Sequence, residues 1–549
     1  MSTEIELKYL LLNDEANEQG NNLTNVISKL LSDNDINYTC QKKTLTNCYM
    51  DTNDLAFRKM DIGLRVRGIQ DNGTQCRYEQ TIKTSGQVIG GLHKRPEYNV
   101  DLENNQVDLS LFPDDVWPQN INVKELQSSV ISLFNTHFTR TTWLINVQGA
   151  VIELAYDQGE ISCDGFEESE RINELELELQ QGETHVLMDT AILLMSQVLM
   201  RSGLLSKAAR GYRLAAKLSE SDAQSNNDKL TLKKGLLINE NNHFESLEII
   251  PMKEINTISA AFYHGIEFSL EKLQQQIDLY VERPSLKVLS KLNELFVLLR
   301  QGFWLFEQHL SPEAVKVRDE LSYFIRATHW VDNAKHLKEL TTKSGVYRKK
   351  IDHSEALIKK LKLARKRYPN IQQMLTLLMS ERSNRLQLSL LNLILVKKII
   401  ITSEKEGQDS TLALRDFAQG GLSKALNELK AEVASLANGD TLTSQDYLAI
   451  YPLLIRSLLT GSWFISLYNS EGSRLLLSEK QKNYRLAWLD VKQGISELQT
   501  LYLLQQQLDI LPVKQEKLAS WLTAKVDNLL EAIEQSKENA LSITPYWQG

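Results

Sequence analysis

Met1-Ser2-Thr3-Glu4-Ile5-Glu6-Leu7-Lys8-Tyr9-Leu10 is the stretch on which the fold of the first part of this chain turns. Read at a period of two, it places Glu4, Glu6 and Lys8 on one face and Ile5, Leu7 and Tyr9 on the other. A half-buried strand normally turns apolar residues to the core and a mixed polar face to water. Here the polar face is wholly ionisable. The design recurs at Leu64-Arg65-Val66-Arg67 and at Glu174-Leu175-Glu176-Leu177-Glu178-Leu179. Like charges about 7 Å apart along a strand repel unless an opposite charge lies between them. Acidic and basic faces in one region therefore predict a site for a polyanion and its metal.

The chain has 549 residues, room for two or more domains, with 42% apolar and 24% charged side chains as in soluble globular proteins. A formal net charge of −8 argues against a protein that coats nucleic acid, while leaving room for a local basic patch. Cys40, Cys48, Cys76 and Cys163 show no CxxC spacing, so neither zinc nor a disulfide framework is expected. The start of the chain lacks a secretory pattern. The apolar run Leu386–Ile401 is interrupted by Asn392, Lys397 and Lys398, and Tyr451–Ile465 by Arg456. No membrane span is expected, and the cytoplasm is the default location.

Composition changes near residue 215. Before it, alternating runs separated by turn-rich pieces predict strands near 2–12, 38–50, 62–69, 75–83, 89–101, 138–148, 150–157 and 171–180. Helices are expected near 21–32, 122–134 and 184–201. The polar stretch Ser219–Asp228 reads as linker. From about residue 240 the pattern is helical almost throughout, with Pro284, Pro312, Pro369 and Gly420-Gly421 as expected helix boundaries. The fold class is thus α+β: a strand-rich region over 1–215, a closed antiparallel β-barrel if its about eight strands join edge to edge, then a linker over 216–239 and an all-α bundle over 240–549. Closing the strands turns alternate residues into the lumen. Unpaired ions there are prohibitive if dry, and reasonable if phosphate and a divalent cation fill the bore. Open carboxylates suit Mg²⁺ or Mn²⁺, and Arg forks bind phosphate bidentately.

Glu4-x-Glu6-x-Lys8 at the start of the chain resembles the signature of the CYTH domain, the triphosphate tunnel metalloenzyme superfamily. The resemblance continues in family order through Tyr49-x-Asp51-Thr52, Arg65-x-Arg67, Lys83, Arg95-Pro96-Glu97, Arg140, Asp157-x-Gly159, Glu174-x-Glu176-x-Glu178 and Ser206-Lys207, over residues 1–215. It implies a tunnel that hydrolyses inorganic triphosphate to diphosphate and phosphate with Mg²⁺ or Mn²⁺. Carried over, Glu4, Glu6, Asp157, Glu174, Glu176 and Glu178 are the expected metal carboxylates. Lys8, Arg65, Arg67, Lys83, Arg95, Arg140 and Lys207 grip the phosphates, and Glu4, Glu6, Lys8 and Lys83 take the catalytic roles. Hydrolysis of an organic triphosphate (thiamine triphosphate or a nucleotide), adenylate cyclisation, or non-catalytic polyphosphate binding are the alternatives.

The helical half resembles the CHAD domain, often fused to CYTH and associated with polyphosphate. Of that family's basic helix only Arg300 survives, with Ser290 and Asn293 at the other positions. A separate basic cluster, Arg348, Lys349, Lys350, Lys359, Lys360, Lys362, Arg365, Lys366 and Arg367, is either a solvated helix face or a docking surface for polyphosphate. Without interleaved aromatics it is not expected to bind nucleic acid. Trp304, Phe306, Trp330, Trp463 and Phe464 read as core, and His329, His336 and His353 as packing or surface residues rather than metal ligands.

Overall fold

The structure is a computed structural model that describes residues 2–11, 20–71, 76–119, 121–225, 247–252, 255–396, 411–437, 441–469, 477–512 and 515–548. The chain divides into two compact units, residues 1–242 with 378–388, and residues 243–377 with 389–549.

In the first unit the strands are β1 (Ser2–Leu11), β2 (Asn37–Asp51), β3 (Gly63–Asp71), β4 (Arg77–Lys83), β5 (Gln87–Ile89), β6 (Leu92–Leu102), β7 (Ile131–Val147), β8 (Ala150–Ser162), β9 (Glu170–Gln181) and β10 (Met200–Ser202). They run antiparallel in the order β10-β1-β9-β8-β7-β2-β3-β4-β6-β5. A further pairing of β1 with β6, from Ser2↔Glu97 to Leu7↔Leu92, closes eight of them into a barrel. The expected closed barrel is therefore present. Among the described residues before 226, the helices that accompany it are α1 (Gly20–Asp33), α2 (Ala56–Lys59), α3 (Val123–Ser129), α4 (Thr184–Met195) and α5 (Lys207–Ser225).

Several boundaries differ from those expected. The strand predicted over 89–101 is two, because Gly90 and Gly91 adopt φ of 60° and 88° and turn the chain between β5 and β6. The helix predicted over 122–134 stops at Ser129, where the β-favouring run Val130-Ile131 opens β7. Residues 200–202 pair with β1 rather than extending α4. Helix α5 carries on to Ser225, into the expected linker. Its apolar side explains this: Tyr212 and Leu214 are buried with Leu45, Tyr49, Phe134 and Phe138. A helix anchored through its first turns extends at little cost even through polar residues.

The second unit is helical: α6 (Ile258–Glu282), α7 (Leu286–Leu305), α8 (Pro312–Thr328), α9 (Trp330–Thr341), α10 (Arg348–Ile351), α11 (Glu355–Arg365), α12 (Ile371–Leu378), α13 (Glu381–Val396), α14 (Thr411–Ala437), α15 (Ser444–Phe464), α16 (Glu479–Asp509) and α17 (Glu516–Ser542). Residues 378–388, expected in the helical half, group with the first unit; there Asn384 Nδ2 donates to Met200 O at 2.6 Å. Pro284, Pro312 and Pro369 lie at helix boundaries, but Gly420-Gly421 sits inside α14. Leu414, Ala418, Leu422, Leu426 and Leu429 bury one face of that helix, which outweighs about 1 kcal/mol of lost propensity per glycine. Phe306, Trp330, Trp463 and Phe464 are core, whereas Trp304 is 51% exposed, with the Arg318 guanidinium 4.5 Å above its ring. Contrary to expectation, Ser444–Tyr468 is long and apolar enough by composition to cross a membrane. In the bundle, Leu454, Leu458, Trp463 and Phe464 of that stretch are buried, and Arg456 faces outward to Glu428 at 2.9 Å.

Gly211 in α5 lets the helix approach the barrel wall: a Cβ there would stand 2.0 Å from the Phe134 ring. Gly211→Ala is expected to destabilise the barrel unit by about 1–3 kcal/mol through overpacking, read as a lower denaturation midpoint. An unchanged midpoint would contradict the seating of α5.

Candidate functional site

The barrel's inward faces enclose a cavity of about 750 Å³. Among the described residues, eight basic side chains (Lys8, Arg58, Arg65, Arg67, Lys83, Arg95, Arg140, Lys207) and eight acidic ones (Glu4, Glu6, Asp61, Glu79, Glu97, Glu153, Glu176, Glu178) line it. Since the totals balance, what the cavity can bind depends on how the signs are distributed.

Strand register sets that distribution. Across β1, β9 and β8, one row reads Glu6, Glu178, Glu153, and the next reads Lys8, Glu176, Ala155. A third contains Glu174, Asp157 and, on β7, Arg140. Residues directly opposite have Cβ atoms about 5 Å apart, so the first row stacks three carboxylates at repulsive spacing.

The third row is saturated with cations. Asp157 and Glu174 are fully buried and lie behind the cavity wall. Arg140 grips Asp157 through Nε (2.7 Å) and Nη2 (2.6 Å), and its Nη2 also reaches Glu176 at 2.5 Å. The Lys207 ammonium stands 2.6 Å from Asp157, 2.5 Å from Glu174 and 2.9 Å from Glu176. Lys8 contacts Glu174 (2.7 Å) and Glu176 (3.2 Å), and Arg210 reaches Glu174 at 2.9 Å. Burial alone would raise these acids, but the cations reverse the sign: Asp157 lies below the usual carboxylate range and Glu176 well below it. Correspondingly, Lys207 and Arg140 are pushed up by the carboxylates against the effect of burial.

The first row has much less of this compensation: Arg140 Nη1 reaches Glu153 only at 3.9 Å. Burial and the fields of Glu4, Glu153 and Glu6 raise Glu178 to about 7. Burial and Glu176 raise Glu6. Glu4 is raised by burial although Lys83 stands 2.5 Å away. Hard oxygen donors that resist ionisation in their own company fit a divalent cation such as Mg²⁺ or Mn²⁺. Oxygens of Asp157, Glu174 and Glu176 also lie within 4.8 Å of one another, but the Lys207 ammonium stands among them.

β3, β4 and β6 supply the cations on another part of the cavity wall. Lys83 sits 3.0 Å from Glu97, and Arg65 lies 3.4 Å from it. Arg67 donates through Nε to Asn47 Oδ1 at 2.7 Å; burial and the neighbouring Arg65 and Arg140 lower it to about 10. Among the described residues, no carboxylate pairs with Arg67 or Arg95, and the buried Nε atoms of Arg65 and Arg95 have no partner. These are cations prepared for an anion other than a side chain.

All the residues expected in the site fall in this one region, Asp157 and Glu174 behind its wall and the rest on it. Sequence reasoning missed Arg58, Tyr212 and Arg210. Asp51, fully buried, accepts from Thr52 N (2.7 Å), Phe57 N (2.9 Å), Arg58 N (3.1 Å) and Tyr212 Oη (2.8 Å), so it holds the Arg58 loop to α5. The Arg58 guanidinium then lies 4.5 Å over the Tyr212 ring, at the cavity wall. None of the three lies on an alternating strand, so the period of two could not single them out.

The CYTH-domain family profile matches residues 2–212. An inorganic triphosphatase of Haemophilus influenzae (strain ATCC 51907 / DSM 11121 / KW20 / Rd) is 35% identical over 178 residues, covering 32% of this chain and 47% of that protein. The chain thus spans about half the length of that curated relative. Among solved structures, a putative adenylyl cyclase from Hippeastrum, described as having a dominant triphosphatase activity, is 18% identical, covers 38% of this chain and 95% of its own, and has a TM-score of 0.28. The CHAD domain from Ricinus communis is 14% identical, covers 55% of this chain and 98% of its own, and has a TM-score of 0.38.

The Glu178 shift has a pH consequence. With a folded value near 7 against 4.5 unfolded, its contribution to stability is present below about pH 4.5 and lost as pH rises through 7. Without divalent cation, the barrel's melting temperature is expected to fall across that window, and Glu178→Gln to flatten the fall. Mg²⁺ should raise the melting point more at pH 8 than at pH 5. An unchanged slope in the variant would contradict the shortage of positive charge in this row.

Proposed function

Taking residues 2–212 as the CYTH domain they match, we propose that this protein hydrolyses inorganic triphosphate to diphosphate and phosphate inside the barrel. The observation that carries the reading is the segregation of charge in one cavity: a carboxylate row short of positive charge, together with two guanidiniums, Arg67 and Arg95, that no carboxylate among the described residues pairs with. A linear triphosphate with a divalent cation supplies the missing charge on both sides.

In this reading Arg65, Arg67, Arg95, Lys83 and Arg58 bind the phosphate oxygens, with Glu97 orienting Lys83 and Arg65. Arg140, Lys207 and Lys8 present their cationic ends from a fixed bed, because Asp157 and Glu174 hold them from behind. We assign those two carboxylates to anchoring rather than to metal ligation, since a metal there would have to displace Lys207. Glu4, Glu6, Glu153 and Glu178, with Glu176 beside them, would hold Mg²⁺ or Mn²⁺. That ion, when bound, neutralises phosphate charge and lowers the pKa of a bound water. Water attacks the terminal phosphorus in line, and its proton passes to Glu4 or Glu6. The bridging P–O bond breaks, and Lys83 and Arg65 meet the charge on the departing diphosphate.

For the helical unit we propose a polyphosphate-docking role for the exposed Lys349, Lys359, Lys362 and Lys366. Their neighbours are engaged elsewhere: Lys360 donates to Ile510 O at 2.9 Å, and Arg348 pairs with Asp352.

The test is metal-dependent phosphate release from inorganic triphosphate, thiamine triphosphate and ATP in parallel. Inorganic triphosphate is expected to be turned over fastest, and Glu6→Gln or Arg67→Ala to lower its turnover by about 10²-fold or more with the fold intact. Preference for an organic triphosphate, or cyclic AMP from ATP, would overturn the substrate; binding without turnover would overturn the enzyme reading.

A further inference from the structure

The helical unit buries a cationic centre of its own. Arg485 of α16 is 6% exposed, and among the described residues no carboxylate pairs with it. Its Nη2 donates to two neutral acceptors, Leu247 O at 2.9 Å and Ser462 Oγ at 3.1 Å. The field of Glu248 reaches it, but that carboxylate stands 3.3 Å from Lys291. Burial lowers the guanidinium only to about 10, so it is charged at neutral pH.

Donors gather around it. Tyr484, Tyr546 and Trp488 are more than nine-tenths buried, and the hydroxyls of Tyr468 and Tyr546 make no hydrogen bond. Burial raises all three tyrosines, which keeps them neutral and able to donate. The Tyr546 ring meets Tyr468 and Tyr484 at 5.5 Å and Trp547 at 4.8 Å, each in an edge-to-face arrangement that fixes its position. Two of the donors share a focus. The point where a side chain would begin on Gly461 lies 3.8 Å from Arg485 Nη1 and 3.9 Å from Tyr546 Oη.

A buried guanidinium without a counter-charge, beside hydroxyls without acceptors, is a set of donors wanting one acceptor of negative charge. Charge balance selects its valence: one guanidinium is matched by a monovalent anion, and a dianion would leave excess charge in an aromatic surround. We propose that Arg485 and Tyr546, over the bare backbone of Gly461, bind a compact monovalent anion of the halide class, chloride in solution. Bound there, it ties α15 and α16 to the Tyr546-Trp547 segment and stabilises the helical unit.

The test is thermal melting of the full chain at fixed ionic strength as chloride replaces gluconate, an anion too bulky for the site. Wild type is expected to gain about 1–3 °C, saturating with chloride. Gly461→Ala places a methyl group at the focus with ordinary contacts and a better helix former. It should therefore fold at least as well, and its melting point should not respond. Arg485→Met should also lose the response. No shift in wild type, or an equal shift in Gly461→Ala, would overturn the site. A shift with phosphate but none with chloride would overturn the valence.

Discussion

Charge inside a folded barrel has to be compensated, and the way this barrel does so organises everything else in its first unit. Alternation along eight strands turns many ionisable groups into one lumen. At one level, carboxylates and ammonium or guanidinium groups satisfy one another; at the next, carboxylates stack mainly against their own kind, with Arg140 reaching Glu153 only at 3.9 Å. The first arrangement is structural and closed. The second is held in place by the ladder although it is unfavourable alone, and so favours a cation. Preorganisation of this kind is what phosphoryl chemistry asks of a protein.

Most of the barrel was legible because its cause is local. Glu4, Glu6 and Lys8 alternate with Ile5, Leu7 and Tyr9, and no fold but a sheet puts three such ions on one face. What the sequence could not reveal was depth. Glu174, Glu176 and Glu178 look equivalent as a run, yet Glu174 is sealed under Lys8, Lys207 and Arg210 while Glu178 faces Glu6 and Glu153. The difference arises from register across strands and from α5, whose Lys207 and Arg210 come from one helical face. Likewise Asp51 was legible only as a motif position. Its work as acceptor for a loop and a helix depends on Tyr212, far along the chain.

In the helical unit, Pro284, Pro312 and Pro369 marked helix boundaries while Gly420-Gly421 did not, because burial along α14 outweighs a modest propensity loss; Pro452 shows that even a proline is carried inside a helix, α15, whose residues Leu454 and Leu458 are buried. Trp304 was misassigned for a related reason: a helical apolar position need not face inward, and cation–π contact with Arg318 holds it at the surface.

Manganese anomalous diffraction from crystals grown with Mn²⁺ and a non-hydrolysable triphosphate analogue tests the division of the lumen most directly. The account predicts density among Glu4, Glu6, Glu153 and Glu178, with Lys207 still seated between Asp157 and Glu174. Manganese bound by Asp157 and Glu174, with Lys207 swung away, would contradict it.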